Sequence, residues 1–523
     1  MSDEIMEIAA ESTRGGFFLI AGSALSTIIM AVASILVARF LGAELYGQYT
    51  LALVIPQILF LFADLGINQG IIKYTSSLHK QGETTRIIKI IKYGILLKSS
   101  AGIVISIISY MCSGILSSAL LQRPELAPYI KIASISILFY TIFATLTSAF
   151  VGLAKTEYNA LVSIVQATAK ALFSILLVLL GFGVLGAIVG YVASYGAAIV
   201  AGALLLIAVI NSLKGNGFQK SNSNVKDLKE LIKYGTPLYI SMLLTGFIPF
   251  YQSIVLAFFT SDIDIGNFKA SANFIALMAV VTTPISTALL PAFSKLNSSF
   301  NHGIRHFFKL ANKYTTLLIL PITFLMITFS HEIVKTIYGS TYNSAPTFLA
   351  TYCIIFLLAG MGYLTLTSLF NGMGDTKTTL KMNLITFLGF LTLAPPLTQS
   401  YKVIGLILSL IIANALGTTY GAYIGVKKFQ IEFDKHSILK VYLCSIVSTI
   451  PVYILLRLTD LPNLISIVIG GFLYIFTYIT LIPLTKAVTA TELKAIALGM
   501  QRIKILAYAT KLLLKYQQKI LKI

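Results

Sequence analysis

Three charged residues stand inside otherwise apolar stretches, and their types suit the handling of ions. They are Lys170, Lys98 and Asp64, the last followed one turn on by Asn68 and Gln69. A charge at the centre of a bilayer costs about 2.5–3.5 kcal/mol, so it persists only with a partner, water or a function. A lysine ammonium is a compact charge suited to phosphate oxygens. A half-buried carboxylate can exchange a proton or Na⁺. Lys170 and Lys98 are therefore expected to bind an anionic group in a cleft, with Asp64 as the candidate for ion coupling to H⁺ or Na⁺. The alternative is a Lys–Asp64 pair that only fixes helices. Arg14 and Lys269, at span ends, would extend a cationic track or serve as interfacial anchors.

Little else in the chain carries chemistry. Cys112, Cys353 and Cys444 fall in apolar runs without CxxC or Cys/His spacing, which supports neither a disulfide framework nor a zinc site. His302 and His306 are four residues apart but lack a third ligand, so no metal is expected. No G-x-x-x-x-G-K-[ST] occurs, and Gly374-Asp375-Thr376-Lys377-Thr378 lacks the spacing of a phosphate-binding loop. With no paired carboxylates and no Ser/His/Asp set, no catalytic residue and no cofactor are expected.

The elements that position these residues are membrane spans. Of the 523 residues, 57% are hydrophobic and 11% charged, and the mean hydropathy of +0.86 excludes a water-soluble globule. At about 20 residues per crossing, the apolar runs divide into fourteen spans. Span 1 is expected at 16–38, span 2 at 49–72, span 3 at 90–119, span 5 at 158–181, span 6 at 184–210 and span 14 at 463–484. The acidic N-terminus followed by an uncleaved span is expected to be no signal peptide. With that end inside, thirty of the 39 Lys and Arg fall on inner segments and seven on outer ones, an N-in/C-in arrangement. The net charge of +20 is then mostly a topology signal, and no nucleic-acid partner is implied. The tail 485–523 is expected to form a basic amphipathic helix on the anionic lipids of the inner leaflet.

The chain also repeats itself at an offset of about 219 residues. Gly47-Gln48-Tyr49 meets Gly266-Asn267-Phe268, Ala127-Pro128 meets Ala345-Pro346, Phe150-Val151-Gly152 meets Phe370-Asn371-Gly372, and Val184-Leu185-Gly186 meets Val403-Ile404-Gly405. Spans 1–6 (14–212, an N-lobe) and 7–12 (232–428, a C-lobe) are thus expected to be two copies of one bundle around a cleft, with spans 13 and 14 (437–484) outside the repeat. Copies with an even number of spans are related by an axis along the membrane normal. Such lobes can rock to give alternating access.

Ala38-Arg39-Phe40-Leu41-Gly42, Tyr46-Gly47-Gln48-Tyr49 and Ala63-Asp64-Leu65-Gly66-Ile67 resemble the first two spans of the polysaccharide biosynthesis flippases (Wzx-type). These belong to the multidrug/oligosaccharidyl-lipid/polysaccharide (MOP) exporter superfamily. Leu290-Pro291-Ala292-Phe293-Ser294-Lys295, Ile337-Tyr338-Gly339 and Asn371-Gly372-Met373-Gly374-Asp375-Thr376-Lys377 resemble that family's loop signatures, so the resemblance covers about residues 14 to 430. It implies an all-α, MATE-like transporter in the cytoplasmic membrane of a prokaryote, not an enzyme. The cargo it implies is a lipid-linked glycan on an isoprenoid phosphate or diphosphate, for synthesis of a surface polysaccharide or glycan. Lys170 and Lys98 would then hold the diphosphate, while Tyr251 and Gln252, which follow Pro249, would offer an aromatic face and an amide to sugar hydroxyls. An ion-coupled multidrug or metabolite exporter of the same superfamily is the rival. A drug exporter needs net acid in its cleft, and here lysines outnumber Asp64. A membrane glycosyltransferase would need a sizeable external loop, which the spacing of the spans excludes.

Overall fold

The computed structural model describes residues 2–64, 66–81, 83–214, 243, 246–296 and 301–488, with side chains from residue 21 onward except at 80, 213–214 and 301–302. All regular structure among them is helical. In chain order the helices are α1 Ser2–Asp64, α2 Ile67–Lys80, α3 Thr84–Met111, α4 Ser113–Leu121, α5 Ala127–Gly152, α6 Thr156–Leu177 and α7 Gly183–Lys214. Then follow α8 Gly246–Phe259, α9 Asp262–Ser294, α10 Asn301–Thr328, α11 Ser330–Tyr338, α12 Ala345–Cys353, α13 Thr365–Gly372, α14 Thr376–Phe429, α15 Lys435–Val447, α16 Thr449–Leu458 and α17 Asn463–Leu484. The tail expected as an amphipathic helix lies outside the described residues from 489 on.

Helix α6 shows which solvent these helices face. Gln166, Lys170 and Ser174, four residues apart and so on one face, are buried, while Leu172 and Leu176 are more than half exposed. Polar side chains inside and leucine outside invert the pattern of a helix in water, and the exposed medium is therefore lipid. Among the described residues nine helical stretches are long and apolar enough to cross a membrane, or ten if the bent pair Ala345–Met361 and Thr365–Gly372 counts as one. This is a multi-pass membrane protein.

Three of those stretches far exceed the roughly 20 residues of one crossing, and each contains a break. Helix α1 breaks at Gly42, whose φ of 75° and ψ of 173° only glycine adopts without strain. Between α6 and α7 the chain turns through Gly181 and Gly183 (φ 52°, ψ −132°). In α14 it turns at Tyr401 and Lys402 (φ 52°, ψ −136°). Gly183 and Lys402 are 219 positions apart, and they share one backbone conformation. Span 2, expected to run to 72, instead stops at Asp64, because Gly66 takes a left-handed φ of 74° and starts the amphipathic α2. Span 3, expected over 90–119, is divided between α3 and α4 at Cys112.

By contacts the chain forms two compact units. The first comprises Met1–Val280, Thr341–Ser344 and Ala394–Leu406, and the second comprises Val281–Ser340, Ala345–Leu393 and Ile407–Ile523. In the first unit Ile71, Ile87, Ile91, Phe150, Val162 and Leu206 form a core that joins α2, α3, α5, α6 and α7. In the second, Phe293, Phe308, Leu366, Phe370 and Phe429 do the same for α9, α10, α13 and α14. The first unit thus takes in α8 and the start of α9, which the repeat assigns to the second copy.

Within that first unit the repeat leaves a reciprocal signature. A Cβ on Gly47 would lie 2.0 Å from the Asp262 carbonyl oxygen, and a Cβ on Gly266 would lie 1.8 Å from that of Ala43. Each member of one contact is 219 positions from its counterpart in the other. The same holds for Tyr342, whose hydroxyl donates to the Ala38 carbonyl at 2.6 Å, and Arg123, whose guanidinium reaches the Ala257 carbonyl at 3.4 Å. Paired contacts of i with j and of j′ with i′ are what a two-fold relation produces.

Candidate functional site: a lysine-lined chamber

The residues Thr50, Leu53, Val54 and Gln57 recur at steps of one and three along α1, and therefore share one helical face. That face lines an open cavity of about 230 Å³ whose other walls are Lys170 of α6, Tyr191 of α7, Phe250 and Ser253 of α8, and Lys269 and Asn273 of α9. Every lining residue belongs to the first unit.

Lys170 is 7% exposed. Its Nζ donates to Ser34 Oγ at 3.2 Å and stands 5.7 Å from the centroid of the Tyr191 ring. Lys269 donates to Ser253 Oγ at 2.7 Å. Among the described residues neither lysine has a carboxylate within 4 Å, and no Asp or Glu lines the cavity. Asn273 donates to the Tyr46 hydroxyl at 3.0 Å, whereas the buried Tyr49 hydroxyl meets no partner among the described residues. Hydroxyl dipoles and a ring face give two ammonium groups partial solvation and no neutralisation. An anion between them would supply what the protein withholds.

Lys98 is placed elsewhere. It is 1% exposed, and its Nζ donates to Asp64 Oδ1 at 2.5 Å. The structure thus brings together Lys170 and Lys269 but not Lys98. Asp64 lies on a second cavity of about 240 Å³, beside Asn68 and Gln69, and as the expected seat of a coupling ion it already holds a cation in Lys98. Tyr251 and Gln252 do not line the chamber. Their neighbours Pro249, Phe250 and Ser253 do, because a turn of 100° per residue carries 251 and 252 off that face. The Tyr251 ring stacks instead on Phe247 at 6.2 Å. Arg14 falls on the helical backbone of α1, with its side chain outside the described residues. Sequence reasoning missed Tyr46, Tyr49, Gln57, Tyr191 and Asn273. The one signal, the polar step from Thr50 to Gln57 along one α1 face, could have found Gln57 alone. Among the described residues no group of three or more His, Cys, Asp or Glu could hold a metal.

The polysaccharide biosynthesis protein family model matches residues 12–297, more than half of the chain. No curated protein matches. Among solved structures, the inward closed conformation of the lipid II flippase MurJ is 20% identical, with a TM-score of 0.70 over 88% of this chain and 98% of that one. An inward-facing multidrug resistance MATE family transporter of the MOP superfamily is 16% identical, with a TM-score of 0.59 over 77% and 94%. A MOP superfamily transporter from Pyrococcus furiosus, described as having a binding pocket of reverse polarity, is 16% identical, with a TM-score of 0.55 over 80% and 95%. At such identities the likeness establishes the fold. The chain belongs to the polysaccharide biosynthesis protein family and has the fold of the MOP superfamily transporters.

Proposed function

We propose that the chain is a flippase that moves a lipid-(di)phosphate-linked oligosaccharide across the cytoplasmic membrane of a prokaryote by alternating access, in the synthesis of a surface polysaccharide or glycan. The observation that carries this is the pair of lysines on one chamber without a carboxylate. A (di)phosphate satisfies two ammonium groups by charge-assisted hydrogen bonds, whereas a cationic drug would meet like charge. The structural neighbour MurJ is a lipid II flippase, which is in keeping with this reading.

The topology that accompanies this function is fourteen crossings with both termini inside. Support comes, among the described residues, from the breaks in α1, the α6–α7 stretch and α14, which would divide nine apolar stretches into twelve, and from the bent pair and the shorter apolar α8 as two further candidates. The two-lobe arrangement draws on the reciprocal contacts around Gly47 and Gly266. The wall of the chamber performs no bond-making step. Lys170 and Lys269 hold the anion, while Tyr191, Ser34 and Ser253 orient them.

The test is reconstitution in vesicles, with a polyprenyl-diphosphate oligosaccharide and a lipophilic cationic dye supplied separately. Movement of the glycan lipid and not of the dye is expected. Movement of the dye alone would assign the chain to cation export.

A further inference from the structure

The second cavity has a different chemistry from the first. Along α1 the face that lines the lysine chamber continues from Gln57 through Phe60 and Leu61 to Asp64, and the last three line the second cavity. Seven residues separate Gln57 from Asp64, about 10 Å along the helix. Aromatic rings form the wall between the two spaces. The Gln57 amide donates to the Tyr191 hydroxyl at 3.4 Å, Tyr191 meets Tyr195 edge-on at 5.3 Å, and Tyr195 meets Tyr140 edge-on at 5.7 Å. Tyr140 in turn stacks on Phe60 at 4.1 Å with the planes 11° apart.

Beside the half-buried Tyr140 the wall is lined by Asp64, Asn68, Gln69, Thr147 and Ser148, the last two with hydroxyls that donate to the Ala144 carbonyl of their own helix. The Asn68 Oδ1 atom is buried and meets no donor among the described residues. Asp64 is held from behind by Lys98, which does not line the cavity. Planar carboxylate and amide groups can accept from and donate to vicinal hydroxyls, and an aromatic face takes the C–H surface of a sugar ring. A cavity of about 240 Å³ is below the roughly 300–1,000 Å³ of a drug-sized site, which suits one ring rather than a chain of them.

We propose that this cavity is a monosaccharide subsite. It receives the sugar joined to the phosphate while the lysine chamber holds the phosphate itself. Lys98 acts as a positioning residue that aims Asp64. The assignment rests on the anionic-glycan function proposed above and specifies where its first sugar sits.

The experiment uses the full chain in nanodiscs and measures Kd for bare polyprenyl diphosphate and for single-sugar polyprenyl diphosphates that carry glucose, galactose or N-acetylglucosamine. The wild-type protein is expected to bind at least one glycosylated lipid about tenfold more tightly than the bare one. Tyr140→Leu and Asn68→Ala are expected to erase that advantage while the bare lipid's Kd stays within about twofold. Tyr140→Phe, which keeps the ring, retains most of it. No advantage for any sugar, an advantage that survives both variants, or an equal loss on bare and glycosylated lipids would overturn the subsite. Failure of the wild-type protein to bind bare polyprenyl diphosphate, with no response to Lys170→Gln, would instead overturn the anionic-glycan function itself.

Discussion

Lys98 and Lys170 are both buried in the first unit at 1% and 7% exposure, yet among the described residues one has a carboxylate 2.5 Å away and the other a serine hydroxyl at 3.2 Å and the Tyr191 ring. The difference separates a cation completed by its own chain from one left for an incoming anion. A buried ammonium whose counter-charge comes from the same chain is complete, and removal of either partner leaves the other stranded. A buried ammonium without one is tolerated at a cost that an incoming anion can offset. Burial and charge alone make the two lysines equivalent; the partner distinguishes them.

The largest expected effect lies with the complete pair. Asp64→Asn should lower stability by about 3–5 kcal/mol, because it leaves Lys98 buried and uncompensated. The double change Lys98→Met with Asp64→Leu should recover most of that loss. Thermal melts in detergent check both, and a single-variant loss below about 1 kcal/mol would place the pair among exposed ion pairs.

Lys170→Gln should do the reverse. It removes an unneutralised charge, so stability is expected to hold or rise. Binding of a polyprenyl diphosphate should weaken by about 1.5–3 kcal/mol, the worth of hydrogen bonds to charged groups, which is roughly 10- to 100-fold. Lys269→Gln, at a half-buried position, should cost about 1 kcal/mol, or roughly fivefold.

The reciprocal glycines sharpen the picture of one unit built on a two-fold relation. Gly47→Ala and Gly266→Ala each force a methyl group onto a carbonyl oxygen at 2.0 and 1.8 Å. Each should cost about 1–3 kcal/mol, and the two costs should agree. A melt in which one is neutral and the other severe would break the equivalence.

The smallest effect belongs to a pair in the second unit whose lysine is exposed. Asp375 accepts from Lys428, which is 54% exposed, at 2.7 Å and from Thr378 at 2.7 Å. Burial raises the Asp375 carboxyl, but the hydrogen bonds from Lys428 and Thr378 outweigh it and hold the group below the usual carboxylate range. Its contribution is therefore complete above about pH 4, the unfolded value, and is lost as pH falls through the lower folded value. Asp375→Asn should cost no more than about 1 kcal/mol at neutral pH and should flatten the acid limb of the stability profile.

Much of this was legible from residue type alone. Lys170 stood out because a cation in an apolar run has few innocent explanations, and the Lys–Asp64 alternative followed from the same logic. The matched residues near the turns at 183 and 402 are alike in the structure too, since Gly186 and Gly405 pack onto the backbone across each turn. The end of α1 at Asp64 was not, because hydropathy runs on smoothly past Gly66 while only its φ changes. Nor was the face of α8, where Pro249 drew attention to Tyr251 and Gln252. A helix of apolar and aromatic residues carries no phase signal until a partner such as Lys269 marks Ser253. Tyr46, Tyr49 and Tyr191 stayed hidden for the same reason.

The most direct measurement is the Kd of the purified full chain for bare polyprenyl diphosphate, compared between Lys170→Gln and the Lys98→Met, Asp64→Leu double variant, both confirmed folded by their melts. The expected result is a 10- to 100-fold loss for the first and a change within about twofold for the second. Equal losses, or a loss confined to the double variant, would contradict the claim that Lys170 awaits an anion and Lys98 does not.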